Sequence, residues 1–187
     1  MTEALVRESS EIVATVRSAA TGDAAAFTRL VEAHHRSMAR VAYVIAGDIE
    51  SANDAVQTAW VIAWQRLGSL RDPNRVRAWL IAIAANEARK GFSRRRREGV
   101  VVDISNEIEA DPGADPVSAI ETADLVHAMR GLSSEQRSLL AMRYVAGLDA
   151  TEIGRQLGIS ASGVRSRLAR TLIRLRIDLD IPAENDR

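Results

Sequence analysis

Apolar residues recur at helical spacing along most of the chain, and the pattern changes character at a few definite points. Phe27, Leu30, Val31, His34, Met38, Val41, Ala42 and Ile45 keep to one face between Gly22-Asp23 and Gly47, which predicts a helix with a glycine stop. Asp48 to Ser51 reads as the turn that follows. A second helix over 52–67 would bury Ala52, Val56, Ala59, Ala63 and Leu67, with Trp60 and Trp64 one turn apart on its flank. The Gly, Asp, Pro and Asn content of 68–74 (GSLRDPN) marks a loop. A third helix, 75–92, has Val76, Trp79, Leu80, Ile83 and Ala84 inward and runs into Arg94, Arg95, Arg96 and Arg97. Leu5, Ile12, Val13 and Val16 give residues 1–20 a weaker pattern, that of a short helix.

The periodicity lapses over 98–116, where Glu98, Asp103, Glu107, Glu109, Asp111 and Asp115 are strung among Gly and Pro. That composition reads as a linker. Val117, Ile120, Leu125 and Met129 then predict a helix ended by Gly131, and Ser133 with Gln136 forms a capping box for the next. In that helix Leu139, Leu140 and Tyr144 face inward. Asp149 with Glu152 resembles a second capping box, Ile153 and Leu157 stripe a short helix, and Gly158 supplies a turn over Ile159. Ser160 can cap a last helix with Val164, Leu168, Leu172 and Leu175 on one face and Arg165, Ser166, Arg170 and Arg174 opposite. Short helix, tight turn and second helix with a basic, hydroxyl-bearing face make a helix-turn-helix. The expected fold is all-α: two small helical domains joined by an acidic linker, the second carrying the helix-turn-helix. The boundaries fall at 1–20 (extension), 21–97, 98–116 (linker), 117–180 and 181–187 (tail).

Charge sharpens the picture. The net charge is zero, yet it divides into −1 over 1–20, +6 over 21–97, −8 over 98–124, +6 over 125–177 and −3 over 178–187. Two basic blocks around an acidic segment suggest two modules that face nucleic acid. From Arg165 to Arg176 there are five arginines and no acid. A solvated helix face is the plainer alternative, but such faces usually mix signs, and arginine suits phosphate and guanine contacts. The chain has no cysteine, so disulfides and thiolate metal sites are excluded. No apolar run is long enough to span a membrane and the first twenty residues are polar and acidic, so no signal peptide and a cytoplasmic location are expected. Adjacent His34 and His35 point in different directions on a helix with no third ligand nearby, so no metal is expected. No nucleophile–base pair or phosphate loop appears, so neither an enzyme nor a cofactor is expected.

These modules, in this order, resemble a bacterial RNA polymerase sigma factor of the sigma-70 family, extracytoplasmic-function (ECF) type. The resemblance runs from about Gly22 to Arg176 and rests on three stretches. DAVQTAWVIAWQRL at 54–67 is similar to the helix that docks on the polymerase clamp, which implicates Asp54, Gln57, Thr58, Val61 and Trp64. The family's usual acid after Gln is Thr58 here. RAWLIAIAANEARKGFSRRRR at 77–97 is similar to the helix tied to promoter melting and the −10 element. With the preceding loop, it makes Arg71, Asp72, Asn74, Arg77, Asn86, Arg89, Lys90, Arg94, Arg95, Arg96 and Arg97 candidates. Lys90 replaces a common acid and is expected to raise phosphate affinity. LSSEQRSLLAMRYVAGLDATEIGRQLGISASGVRSRLAR at 132–170 is similar to the domain that reads the −35 element. There Arg165, Ser166, Ala169 and Arg170 fall on groove-facing positions, with Arg155, Ser160, Ser162, Arg167 and Arg174 beside them. The resemblance implies core RNA polymerase and promoter DNA as partners, and an anti-sigma factor as a regulator.

Several alternatives stand beside this reading. A stand-alone helix-turn-helix regulator would use only 132–176, and a sigma-like decoy would bind an anti-sigma protein without DNA. Trp79 could stack on an unpaired base, although its spacing with Val76, Leu80 and Ile83 favours the core. Trp60 and Trp64 are packing candidates as well. The Arg94–Arg97 run could be a solvated helix end whose cations suit the dipole. The acidic stretch could be a solvated tether or, by the resemblance, a segment threading the polymerase.

Overall fold

Asp23 begins the first long helix by accepting the Ala26 amide on its side chain at 3.1 Å, and Gly47 ends it in the left-handed region at φ 86°. The computed structural model describes residues 2–98, 129 and 131–178. Helix α1 spans Thr2–Ala20, α2 Ala24–Ala46, α3 Ile49–Arg66 and α4 Val76–Arg97. Single 3-10 turns at Leu67–Ser69 and Pro73–Arg75 shape the connection between α3 and α4. Helices α2, α3 and α4 pack mutually, and α1 lies across α2 and both 3-10 turns. The second group has α5 at Ser134–Leu140, a π-helical turn at Ala141–Val145, α6 at Ala150–Leu157 and α7 at Ala161–Asp178. All regular elements among the described residues are helical, so the fold is all-α.

Helix α3 starts earlier than its apolar stripe suggests, because Asp48 accepts the Ser51 amide at 2.7 Å and makes the expected turn its first turn. Helix α4 continues past Phe92 through the whole arginine run, which places four cations at its negative dipole end. Ser133 and Gln136 form the reciprocal box that their spacing suggests. The linker and the helix expected over 117–129 lie outside the described residues, Met129 excepted, and Met129 is fully buried.

Two expectations about facing are corrected. Tyr144 is 58% exposed, not inward. It sits in the π-helical turn, where the Ala146 amide reaches back five residues to the Ala141 carbonyl and shifts the facing of the residues within it. In α7 the buried stripe is Val164, Leu168 and Thr171, with Leu175 partly buried, while Leu172 is 39% exposed. At about 100° per residue, 164, 168, 171 and 175 lie within a 60° arc and 172 outside it. Thr171 tolerates the interior because its hydroxyl donates to the Arg167 carbonyl at 2.9 Å.

The two helical groups are not separate bodies. One continuous core runs from α1 through α2 and α4 into α5, α6 and α7. The end of α2, Val41 to Ala46, is buried on every side, as expected of a helix end covered by neighbours all round. Its covering comes from α4 on one side and from α5 and the π turn on another.

Candidate nucleic-acid interface

The helix-turn-helix is set by local hydrogen bonds. Asp149 accepts the Thr151 and Glu152 amides at 2.7 and 2.8 Å, and Glu152 returns an acceptor to the Asp149 amide at 2.8 Å. These bonds hold the Asp149 carboxyl below its usual pKa. Gly158 takes φ 68°, the left-handed turn that a side chain would strain. The Ile159 amide then donates to the Gly154 carbonyl at 3.0 Å. Gly154 is required for a different reason: a Cβ there would stand 2.6 Å from the Ile159 carbonyl oxygen. Ser160 caps α7 by accepting the Gly163 amide at 3.0 Å and shares a 3.0 Å hydrogen bond with Ser162.

On α7, Ser162, Arg165, Ser166, Ala169 and Arg170 share an arc of about 140° opposite the buried stripe. All five are exposed, and Arg165 is free of ion pairs within 4 Å among the described residues. The face carries cations, hydroxyls and one small residue, the mix that reads base edges and phosphates. Arg155 is exposed on α6. Arg167 and Arg174 sit on the flank. Arg167 pairs with Glu135 of α5, and Arg174 reaches the Gly131 carbonyl at 3.4 Å.

The second cluster surrounds α4. Asp72 organises the loop before it, accepting the Asn74 amide at 3.2 Å and pairing with Arg75 at 2.9 Å. Arg71 and Asn74 are exposed beside it. Asn86 accepts Arg89 at 2.8 Å. Lys90 pairs with Glu87 at 2.7 Å, so part of its charge is already answered within the helix. The four arginines do not act alike. Arg94, Arg96 and Arg97 are exposed, whereas Arg95 folds back onto Asp48 and the Ala46 carbonyl, each at 3.2 Å. Arg77 donates to the Ala146 carbonyl of the second helical group. Trp79 packs against the core.

A third surface lies on α3. Asp54, Gln57, Thr58 and Val61 are exposed on one face, Val61 at 54% and Trp64 at 45% on its edge. Phe27 props Trp64 and Trp60 edge-on at 4.8 and 5.6 Å, and the Trp60 indole donates to His35 Nδ1 at 3.2 Å. The adjacent His34 is held below its usual pKa by burial and by nearby Arg77. An exposed apolar pair ringed by polar groups suits a protein surface.

Contacts across the two groups were not legible from spacing. Arg137 is 3% exposed, with its guanidinium 4.6 Å over the Phe92 ring, and Ser93 Oγ meets Ser134 Oγ at 3.1 Å. Burial and neighbouring Arg96 depress the Arg137 pKa to about 10. These partners are more than forty positions apart, and no periodic pattern pairs them.

Residues 30–98 match the family described as Sigma-70 region 2, and residues 122–175 match the one described as Sigma-70, region 4. The ECF RNA polymerase sigma factor SigM of Mycobacterium tuberculosis is 34% identical over 155 residues, covering 82% of this chain and 77% of that protein. A Xanthomonas campestris pv. campestris protein described as "Probable RNA polymerase sigma factor RfaY" is 30% identical over 168 residues. The match takes in 86% of this chain but only 42% of that relative's length. Among solved structures, CnrH in complex with the cytosolic domain of CnrY superposes with a TM-score of 0.69 at 26% identity. It covers 91% of this chain and 98% of that one.

Proposed function

The chain belongs to the sigma-70 family of RNA polymerase sigma factors, of the extracytoplasmic-function type, and from that membership we propose that it binds core polymerase and directs initiation at promoters with paired −10 and −35 elements. The observation that carries the proposal is the presence on one chain of two basic surfaces and the exposed Val61–Trp64 face of α3. A regulator using the helix-turn-helix alone has no use for that face. In the proposed division of labour, 21–97 serves the polymerase and the −10 element, and 117–180 serves the −35 element.

Arg165, Ser166, Ala169 and Arg170 enter the major groove, while Arg155, Ser160, Ser162, Arg167 and Arg174 hold the flanking backbone. Opening a promoter means holding unstacked bases, at a cost of a few kcal/mol each. The loop at Arg71, Asp72 and Asn74 takes an extruded base, and Asn86, Arg89 and Lys90 hold the strand with Arg94, Arg96 and Arg97. Arg77 and Arg95, occupied by carbonyl and carboxylate partners, contribute by fixing α4. Asp54, Gln57, Thr58, Val61 and Trp64 dock on the polymerase. The protein itself performs no chemistry in this scheme, since nucleotide addition belongs to the polymerase, and it works in the cytoplasm. An anti-sigma protein is the proposed regulator, as membership of the family suggests, and the similar chain CnrH was itself solved in complex with the cytosolic domain of CnrY.

Affinity capture of core polymerase tests the proposal. Parent protein should retain the enzyme, and Val61→Glu, which sets a charge in the apolar contact, should lose at least about 1.4 kcal/mol, or tenfold, of that affinity. Equal capture by both, or by neither, would contradict the assignment of α3.

A further inference from the structure

Helix α1 has no part in the division of labour proposed above, and it lies outside the matched residues 30–98 and 122–175. It is nevertheless fastened at a particular place. Val16 and Ala19 are buried and Val13, one turn earlier on the same face, is half-buried. The helix packs on α2 and on both 3-10 turns, Leu67–Ser69 and Pro73–Arg75. Its end is tied to the start of α2. The Ser18 hydroxyl donates to the Asp23 carboxylate at 2.6 Å, and Gly22 turns the chain at φ 96°. Asp23 is also the cap of α2, so one carboxylate holds both helices.

The two 3-10 turns bracket the loop at Arg71, Asp72 and Asn74, and each is closed by its own local bonds. The Leu70 amide donates to the Leu67 carbonyl at 3.0 Å, and the Ser69 hydroxyl to the Arg66 carbonyl at 2.7 Å. On the other side Asp72 accepts the Asn74 amide and pairs with Arg75. These bonds shape each turn, and α1 touches both turns at once. A Cβ on Gly68 would stand 3.8 Å from the Ala20 carbonyl oxygen, an ordinary contact, so the first turn lies directly against the end of α1. We propose that α1 is a positioning element for base capture: through its buried Val16–Ala19 face it holds the two turns at the spacing at which the loop between them takes an unpaired −10 base. The inference rests on the reading of that loop as the capture site. A loop binds accurately only on a rigid support, and a misplacement of about 1 Å can cost about 100-fold.

The test uses the full chain bound to core polymerase. Its affinity is measured for a single strand carrying the −10 sequence of a mapped promoter, and for the same strand made abasic at each position in turn. The position at which the abasic site weakens parent binding most, by about tenfold or more, marks the captured base. Val16→Ala, which thins the contact beneath α1, should cut that intact-to-abasic ratio at least about threefold and leave affinity for a −35 duplex unchanged. Lower stability alone does not give this result, because a smaller folded fraction weakens both strands alike and leaves their ratio as it was. If Val16→Ala does not fold by circular dichroism, Val16→Ile decides, since one added methylene presses α1 off the turns and should lower the same ratio. A ratio equal in parent and folded variant overturns the positioning role. A parent with no preference at any position overturns the base-capture reading of the loop as well, a separate failure.

Discussion

Replacing Gly154 by alanine sets two effects of opposite sign against each other. Gly154 lies inside α6, and at an ordinary helix interior the exchange stabilises by about 1 kcal/mol. Here the new Cβ would stand 2.6 Å from the Ile159 carbonyl oxygen and 3.4 Å from the Ala161 nitrogen. The obstructing atoms are backbone, so relief requires moving the turn that sets α7 on α6. Overpacking of this kind costs about 1–3 kcal/mol, and a backbone collision belongs at the upper end. The net expectation is a loss of about 2 kcal/mol. Gly91 in α4 is the control, since its Cβ would meet only Arg95 Nη1 at 3.6 Å, an ordinary contact. Gly91→Ala should therefore gain about 1 kcal/mol. Urea unfolding of both variants measures the difference, and −35 binding should fall with Gly154→Ala because the helix proposed to face the groove is displaced. A Gly154→Ala protein as stable as the parent would refute the close approach of helix and turn.

Arg165→Ala should cost about 1–3 kcal/mol at one base-pair position and relax specificity there, whereas Arg96→Ala should weaken binding evenly across sequences and lower the salt slope by about 0.9. Identical behaviour of the two on a panel of −35 variants would remove the distinction between base and phosphate contacts. His34, held below its ordinary 6.5 by burial and Arg77, binds its proton more readily in the unfolded chain. Its contribution is complete above about pH 6.5 and is lost as pH falls through the lowered value. Stability measured from pH 7.5 to 5 should drop less steeply in His34→Gln than in the parent, and parallel curves would exclude this group. Ser133→Ala should cost about 1 kcal/mol by removing an N-cap, read as a lower urea midpoint.

The elements that local chemistry specifies were legible in the sequence. Helix α2 with its Asp23 and Gly47 ends, the Ser133–Gln136 box and the Asp149–Gly158–Ser160 frame of the helix-turn-helix all depend on residues within five positions of one another. Facing was less legible where the helix departs from regular α geometry or where a polar residue outcompetes an apolar one. Tyr144 turns outward in a π-helical turn, and Thr171 takes the buried place that Leu172 was expected to fill. Arginines were the hardest to assign. Arg94, Arg95 and Arg96 are neighbours in sequence, yet Arg95 alone is drawn to Asp48, because a helix turns successive side chains about 100° apart. Arg137 gives no sign of its burial, since the Phe92 ring that receives it belongs to another element. The all-α class and the two groups of helices follow from periodicity, while their mutual docking depends on contacts between distant residues.

The central claim is that this chain supplies promoter selectivity to a polymerase that lacks it. Run-off transcription with purified core enzyme, on templates bearing promoters identified by sequencing transcripts after overexpression, measures it directly. Core enzyme plus this protein should start at a defined nucleotide, depend on both the −10 and −35 elements, and give no specific transcript when either component is omitted. Correctly folded protein that binds those promoters but leaves initiation by core enzyme unchanged would contradict the claim.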